Sequence, residues 1–502
     1  MPPFLAACVC VMFIIWLFAL DANQRPGTSH ALWIPILWAC VIGSRPVSFW
    51  FGLNQDLGGV RGFAEDTLLD KGVFLLLIVA GLLVLSRRRV SWHSVFAQNK
   101  WVCIYFLYLG ISVLWSGDPF VSCKRWTKDL GNVVMVLVVL SEEDQAEAVR
   151  ALLARCAYLL IPLSVLVVKY YPTVSRQYDP WTFQPFIGGI TSHKNLFGMT
   201  LFVCAVSLFW MLLAPSDETA GTKGWTAWFR YSVLMMMTVW LLVQSKSSTA
   251  LSCTVLGCGI LLGMKSPAVR SQVKRLWLYC AVAAVVAVLL YASGVADLLI
   301  NMFVEAVGRD PSFHGRTIIW GMLLREDINP LIGVGFYSFW SDERMQRISE
   351  GYYYLLNEAH NGYIETYLNC GLIGVQLLVI MIVSTANKIK ADVLDGTHFG
   401  GLRLAWFITI LIYNITESTF DRLTLVWFAL LLMMMEWPSP SQESIEMDEL
   451  DAEETREPAT DGQDRYRLAD YSVLGGGHWW QTVFIQRWKW LPLWEKQAHL
   501  PP

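Results

Sequence analysis

The sequence lacks the short motifs by which many cofactor-binding domains are identified. It has no P-loop, no dinucleotide-binding glycine motif and no Cys/His spacing typical of zinc, so a nucleotide, a metal or another cofactor has no support. No internal repeat is visible, and nucleic-acid binding has no support either. The eleven cysteines are odd in number and lie mostly inside apolar runs, where we interpret them as small apolar residues.

Apolar residues are abundant in the chain. Apolar residues make up 55% of its 502 residues, aromatics 13%, and the mean hydropathy is +0.44, which is too apolar for a soluble domain of this size. Thirteen apolar runs approach the length of a bilayer crossing. They are Phe4–Leu20, Ala31–Phe51, Leu68–Leu85, Trp101–Trp115, Leu130–Leu140, Leu152–Val168, Leu196–Leu213, Phe229–Val243, Ala250–Met264, Leu276–Ala292, Tyr363–Ser384, Leu402–Ile415 and Leu423–Glu436. Because backbone groups in lipid must be paired within the element, we predict an all-α polytopic membrane protein with about 12–13 transmembrane helices in residues 1–436.

Basic residues in the short loops predict the orientation. Clusters at 87–100, 265–275 and 388–390 share one side, which we assign to the cytoplasm. Residues 294–361, the one long polar loop, then lie outside with the N-terminus, and the C-terminus lies inside. The first run lacks a basic leader and an Ala-x-Ala site, so it is not expected to be a cleaved signal peptide.

Residues 437–502 differ sharply from the rest. The segment 439–464 is rich in Glu, Asp, Ser and Pro, which predicts a disordered acidic cytoplasmic tail. The end is rich in Trp with Arg487 and Lys489 interleaved, a composition that suits a membrane interface. The alternative is a disordered end with no role.

The long loop carries two arginines that suit an anionic ligand. Apolar spacing predicts an amphipathic helix over 298–307 that leads to Arg309. A second short helix is expected to start near Thr317 and to stop before Pro330, with Arg316 at its first turn. The planar guanidinium pairs with phosphate oxygens and keeps its charge, so Arg309 and Arg316 indicate a site for a lipid-linked phosphate.

His360 lies just before a helix whose amino end faces outward in this topology. Free amides and the helix dipole favour a pyrophosphate there, and the same field should keep the imidazole neutral, so that it can act as a base. Asn361 is expected to cap the helix, and Glu358 to orient the ring or bind a hydroxyl. A lone histidine here would more often cap or pack, but the neighbouring arginines favour chemistry.

Other polar residues of the outer loops leave alternatives open. His193, Lys194 and Asn195 are equally compatible with a second phosphate or acceptor contact and with a helix cap. Lys246 could contact a diphosphate or extend to the head groups. Arg125 could bind sugar or lie at the head groups. Glu417 could line an acceptor cleft or form a local ion pair with the Asp421-Arg422 turn.

Together these motifs resemble a known family. The series Gly308-Arg309-Asp310, Gly315-Arg316, Trp320, Pro330, Gly333-x-Gly335, Ala359-His360-Asn361-Gly362 and Gly371-x-x-Gly374 is similar to the signature of the O-antigen ligase and polymerase superfamily. Residues 191–195 and 244–249 resemble its exopolysaccharide-polymerase branch. The resemblance covers about residues 1–436. It implies a GT-C-like glycosyltransferase that needs no metal or cofactor, in which Arg316 neutralises the diphosphate of an undecaprenyl-linked glycan and His360 is the base. Lys246 stands where ligases often have arginine.

The expected function is polymerisation of undecaprenyl-diphosphate-linked repeat units at the periplasmic face of a bacterial inner membrane, by single displacement with inversion. The partners implied are the lipid-linked glycan, a sugar acceptor and the bilayer, with chain-length and export proteins as further candidates. A ligase that transfers glycan to lipid A core is the alternative. A transporter of lipid-linked sugar is less favoured, because the charges cluster in outer loops and no repeat is visible.

Overall fold

The computed structural model describes residues 1–24, 29–53, 67–88, 90–178, 185–213, 222–293, 312–350 and 356–438. By internal contacts the chain divides into two compact units, Met1–Glu443 and Ser444–Pro502, and every element described below belongs to the first. The predicted helix over 298–307, Arg309 and the tail beyond 438 lie outside the described residues. Those expectations therefore stay predictions.

Helices form nearly all of the described regular structure. They are α1 (Pro3–Gln24), α2 (Trp33–Ile42), α3 (Val47–Trp50), α4 (Leu68–Arg87), α5 (Trp92–Gln98), α6 (Lys100–Ser112), α7 (Pro119–Leu140), α8 (Gln145–Tyr170), α9 (Pro172–Ser175), α10 (Lys194–Leu212), α11 (Thr222–Ser245), α12 (Ser248–Gly263), α13 (Pro267–Gln272), α14 (Leu276–Ala292), α15 (Ser312–Leu323), α16 (Asp342–Ile348), α17 (Gly362–Leu394), α18 (His398–Thr416) and α19 (Leu425–Met434). Short 3-10 turns lie at His30–Leu32, Val113–Trp115 and Val273–Arg275. The described strands, β1 (Arg176–Tyr178) and β2 (Pro185–Ile187), pair antiparallel with Gln177 opposite Phe186.

The helices confirm an all-α integral membrane protein. Each of the thirteen apolar runs falls on a described helix. Seven described helices are long and apolar enough to cross a membrane, or eight if the bent pair Ser248–Gly263 and Pro267–Tyr279 is one span. Three more described apolar helices, His30–Ile42, Lys100–Trp115 and Leu425–Met434, are shorter than a full crossing. Thirteen complete crossings remain a prediction.

The helices are layered from a buried centre to a lipid-facing rim. All ten residues of α19 are buried, and most of α8 and α10 is buried around it. By contrast α1 and α4 expose large apolar side chains such as Phe4, Leu75 and Leu76. In a bilayer such surfaces meet lipid rather than water, so their exposure is consistent with helices at the rim.

The part of the polar loop that contains Pro330 and Gly333 packs against a break in α17. Gly371 has a φ of 65° inside that helix, and the freed amide of Leu372 donates to the Pro330 carbonyl at 2.8 Å. A Cβ on Gly333 would lie 2.5 Å from the carbonyl of Asn369, so the two backbones could not approach with a larger residue there. The glycines of both motifs thus allow the loop to pack directly on α17, which begins at Gly362 just after His360.

Candidate active site

His360 lies where the chain turns into α17. Its φ of 48° is in the left-handed region that a non-glycine residue rarely adopts. Asn361 accepts hydrogen bonds from the amides of Tyr363 and Ile364 at 3.0 and 3.1 Å, and so forms the expected cap. The Asn361 amide donates to the Ser418 hydroxyl at 2.9 Å. These bonds hold His360 beside the end of α18.

Two carboxylates flank the imidazole. Nδ1 of His360 lies 2.9 Å from Oε1 of Glu358 and 3.5 Å from Oε2 of Glu417. The same buried Nδ1 has no acceptor in line with its N–H among the described residues. We therefore interpret both contacts as ion pairs of a protonated ring rather than as directed hydrogen bonds.

Each carboxylate also pairs with an arginine. Nη2 of Arg316 lies 2.9 Å from Oε1 of Glu417, and Nη1 of Arg422 lies 2.7 Å from Oε2 of Glu358. The second amino group of Arg422 lies 3.3 Å from Glu365. The side chains thus follow the order Arg316, Glu417, His360, Glu358 and Arg422. These five residues and Asn195 are called the His360 cluster.

Glu417 is the residue that joins the segments. It follows α18, its carbonyl accepts from the Gly362 amide at 3.2 Å, and its Oε2 accepts from Nδ2 of Asn195 at 3.1 Å. The side chain of Glu417 is only 3% exposed, against 21% for Arg316 and His360 and 23% for Glu358. A substrate can therefore reach Arg316, His360 and Glu358, whereas Glu417 supports them from behind.

Neighbouring charges determine the protonation states of His360 and Glu358. Burial lowers the pKa of His360, but the carboxylates of Glu358 and Glu417 outweigh burial and raise the pKa to about 10. Burial likewise raises the pKa of Glu358, while the charges of His360 and Arg422 hold that pKa below its usual range. The expectation of a neutral His360 was wrong. A helix end carries about half a charge, whereas each adjacent carboxylate carries a full one.

His193 lies close to the same carboxylates. It caps α10, since its Nδ1 accepts from the amide of Asn195 at 3.2 Å. Burial lowers the pKa of His193, against the opposing charges of Glu358 and Glu417, so a neutral ring is favoured. The ammonium of Lys194 lies 5.4 Å from the ring centre of Phe186. His193 is therefore both a cap and a neighbour of the cluster.

Lys246 and Arg125 lie at the edge of this region. Lys246, with a φ of 53°, forms the turn between α11 and α12; its exposed side chain has no hydrogen bond or ion pair to a described residue. Arg125 donates to the Tyr337 carbonyl at 3.2 Å and lies 4.8 Å from the centre of that ring. The same ring faces Arg422 at 5.9 Å, so Tyr337 separates Arg125 from the cluster.

Two details of the sequence interpretation need correction. The helix that carries Arg316 begins at Ser312 rather than near Thr317, which puts Arg316 in its second turn. The Asp310-Pro311 pair in the sequence just before this helix is a helix-start signal that the apolar periodicity did not reveal. The considered local ion pair between Glu417 and Arg422 does not form, because each pairs with a residue from another segment. Glu365, which contacts Arg422, was not among the predicted site residues.

The cluster has the spacing of a metal site but not its charge. Ligand atoms of Glu358, His360 and Glu417 all lie within 4.8 Å of one another. Both carboxylates, however, are already paired with guanidinium groups, and the ring between them favours its protonated form. Three positive charges at this distance oppose a divalent cation.

Comparison with known proteins supports the resemblance drawn from the motifs. Residues 231–379 match the family model described as O-Antigen ligase. The chain is also similar to the exopolysaccharide production protein ExoQ of Rhizobium meliloti (strain 1021), with 27% identity over 316 residues that cover 60% of this chain and 67% of that protein. The family match includes Arg316, Glu358 and His360, whereas Glu417 and Arg422 follow it in the sequence.

Proposed function

We propose that the chain, whose family match and exopolysaccharide relative support the O-antigen ligase and polymerase superfamily, joins undecaprenyl-diphosphate-linked oligosaccharide repeat units into exopolysaccharide or O-antigen. An enzyme of the glycosyltransferase or ligase type follows from the family; the donor and the polymerising reaction are our proposal. The observation that carries it is the His360 cluster, in which two arginines and an imidazolium surround two carboxylates beside an apolar helix bundle. The similarity to an exopolysaccharide production protein supports exopolysaccharide as the product.

We propose that Arg316 binds the diphosphate of the donor. One amino group pairs with Glu417, and the other N–H groups make no hydrogen bond to a described residue, so they can receive phosphate oxygens. Arg309, Lys246 and Lys194 would add positive charge around the same head group. Neutralising the diphosphate makes it a good leaving group without a metal.

The acceptor hydroxyl would attack the anomeric carbon from the face opposite the diphosphate. The new C–O bond forms as the bond to the diphosphate breaks, and the bonding electrons leave with the diphosphate. His360 is already protonated at neutral pH, so we assign the acceptor's proton to the half-buried carboxylate of Glu358. Carboxylates serve as bases in inverting glycosyl chemistry. In this scheme His360 keeps Glu358 ionised and adds positive charge beside the leaving group.

Reconstitution tests the proposed reaction. The purified chain in proteoliposomes, supplied with a synthetic undecaprenyl-diphosphate repeat unit, should yield a ladder of longer lipid-linked glycans, with equal yield in EDTA. A transfer product that forms only when lipid A core is added would favour the ligase alternative. Dependence of the ladder on an added divalent ion would contradict the metal-independent scheme.

We also propose that the cluster faces the periplasm of a bacterial inner membrane. In a Cys123→Ser background, which removes an exposed native thiol, Gly321→Cys should react with an impermeant maleimide in intact spheroplasts, and Ser271→Cys should react only after permeabilisation. The reverse pattern would contradict this orientation. Interaction of residues 438–502 with chain-length or export proteins remains part of the proposal.

A further inference from the structure

A large apolar groove lies along α12. The helix α12 and the following segment Pro267–Tyr279 are bent by 103°, and the groove at this bend has a volume of about 550 Å³. Its lining comes from α12, from the bend and from α18, and includes Val255, Gly259, Gly263, Val269, Leu404 and Ile408. The polar lining side chains satisfy each other, since the Tyr279 hydroxyl donates to Gln272 at 2.8 Å. The groove therefore suits an apolar ligand.

The two helices that line the groove also lead to the His360 cluster. α12 begins directly after the Lys246 turn, and α18 ends directly before Glu417. The hydroxyl groups of Thr249 and Thr416, 3.1 Å apart, join these two helix ends. At about 1.5 Å per residue, the groove residues Val255 to Gly263 lie roughly 10 to 22 Å along α12 from that end. A bilayer core is about 30 Å thick, so this stretch of α12 lies within it.

An apolar surface connects the two places. Leu251 on α12 and Ile412 and Ile415 on α18 are 43%, 41% and 44% exposed, and Val255 at the edge of the groove is 65% exposed. Neither α12 nor the stretch 404–416 of α18 contains a charged residue. A ligand with an anionic head at Arg316 could therefore run its apolar chain along this surface without crossing a charge.

We propose that the groove holds the polyprenyl chain of the lipid-linked donor. The inference rests on the proposed function, which puts the donor's diphosphate at the cluster end of the same two helices. A polyprenyl chain is bulkier than a fatty acyl chain because methyl branches recur along it, and the groove has room for branches. A Cβ on Gly259 would meet no atom within 4 Å, and one on Gly263 would meet Val269 at 3.4 Å.

Filling the groove tests this inference. Gly259→Trp should be compatible with folding, because the position opens on empty space. Gly72→Trp is the matched control, since Gly72 is also an exposed helical glycine with no atom within 4 Å, on α4. Transfer is measured in proteoliposomes with two donors of identical saccharide and diphosphate, one on undecaprenol and one on farnesol.

We expect Gly259→Trp to raise KM for the undecaprenyl donor by roughly three- to tenfold, with kcat and the farnesyl donor unaffected. The effect is modest because the chain leaves lipid rather than water, so only packing is lost. Gly72→Trp should behave as wild type. Equal KM for the undecaprenyl donor in wild type and Gly259→Trp would overturn the groove assignment alone. A wild-type protein that uses neither donor would overturn the proposed function and this inference with it.

Discussion

Two ion-pair clusters lie at opposite ends of α18, and they differ in how their polar groups are used. One is the His360 cluster. The other, which we call the Arg403 cluster, consists of Asn99, Lys388, Asp392, Arg403 and Glu436. Arg403 and Glu417 are 14 residues apart, about 21 Å along the helix axis. Both clusters contain arginines paired with carboxylates near a membrane boundary.

In the Arg403 cluster the polar groups join helix ends. Nε and Nη2 of Arg403 donate to the Met433 carbonyl at 3.0 and 2.7 Å, and the same guanidinium pairs with Asp392 and Glu436. Asn99 closes a two-way contact with the backbone of Glu436. These bonds join the end of α19 to α17, to α18 and to the turn before α6. The polar groups of the Arg403 cluster thus bind one another rather than a ligand.

The backbone at and beside the His360 cluster is strained by comparison. His360 and Asp421 have φ angles of 48° and 57°, and the neighbouring Lys246 and Tyr337 have φ angles of 53° and 56°. These four are all of the non-glycine residues with positive φ among the described residues. Backbone strain of this kind concentrates at functional sites, where surrounding contacts maintain it. The contrast between the ends of α18 thus supports a structural role for the Arg403 cluster and the proposed chemistry at the His360 cluster.

The largest expected effect is at His360. His360→Ala and His360→Asn should each lower the rate of transfer by about 10²- to 10³-fold, the range expected for loss of a group that stabilises developing charge. Asparagine tolerates positive φ better than other residues, so the second variant separates lost chemistry from lost backbone geometry. Transfer is measured per molecule of folded protein in proteoliposomes. Normal transfer by either variant would mean that strain at this position has no catalytic purpose.

A smaller effect is expected from pH. The protonated ring of His360 faces Glu358 and Glu417, with Arg316, Arg422 and His193 around them, and its pKa is raised to about 10. The stabilisation of the folded protein by the ion pairs of protonated His360 is fully present below the ordinary histidine pKa of 6.5. This stabilisation is lost as pH rises through about 10. We expect kcat/KM to be steady from pH 7 to about 9 and to fall above that. A rate that instead rises with pH across this range would identify a neutral imidazole as the base.

The smallest effect on chemistry is expected at the Arg403 cluster. Arg403→Ala leaves the buried Met433 carbonyl without its donors, while the half-buried carboxylates of Asp392 and Glu436 can turn to solvent, so it should destabilise the protein by about 1–3 kcal/mol. The melting temperature and the yield should fall, whereas kcat of the folded fraction should stay within about twofold, since no substrate contact is removed. A large loss of kcat in fully folded Arg403→Ala would contradict the assignment of this cluster to structure.

The sequence predicts the elements of the site better than their pairing. The Asn361 cap and the helix that carries Arg316 depend on neighbouring residues, and local signals indicate both. The bonds of Glu417 to Arg316 and Asn195 join residues 101 and 222 positions apart, which no local pattern specifies. The charge of His360 was misjudged for the same reason, because the helix dipole is visible in the sequence and the two facing carboxylates are not.

The central claim, that Arg316 binds the donor diphosphate through a paired fork, is tested most directly by matched Arg→Lys changes. Arg316→Lys keeps the charge but loses the planar pair of donors, so kcat/KM should fall by at least about tenfold, and Arg316→Ala should fall further with weaker donor binding. Arg403→Lys is the control at the other end of α18. The measurement is kcat/KM and donor KM for each variant in proteoliposomes with the undecaprenyl-linked repeat unit. Wild-type kinetics in Arg316→Lys would contradict the claim.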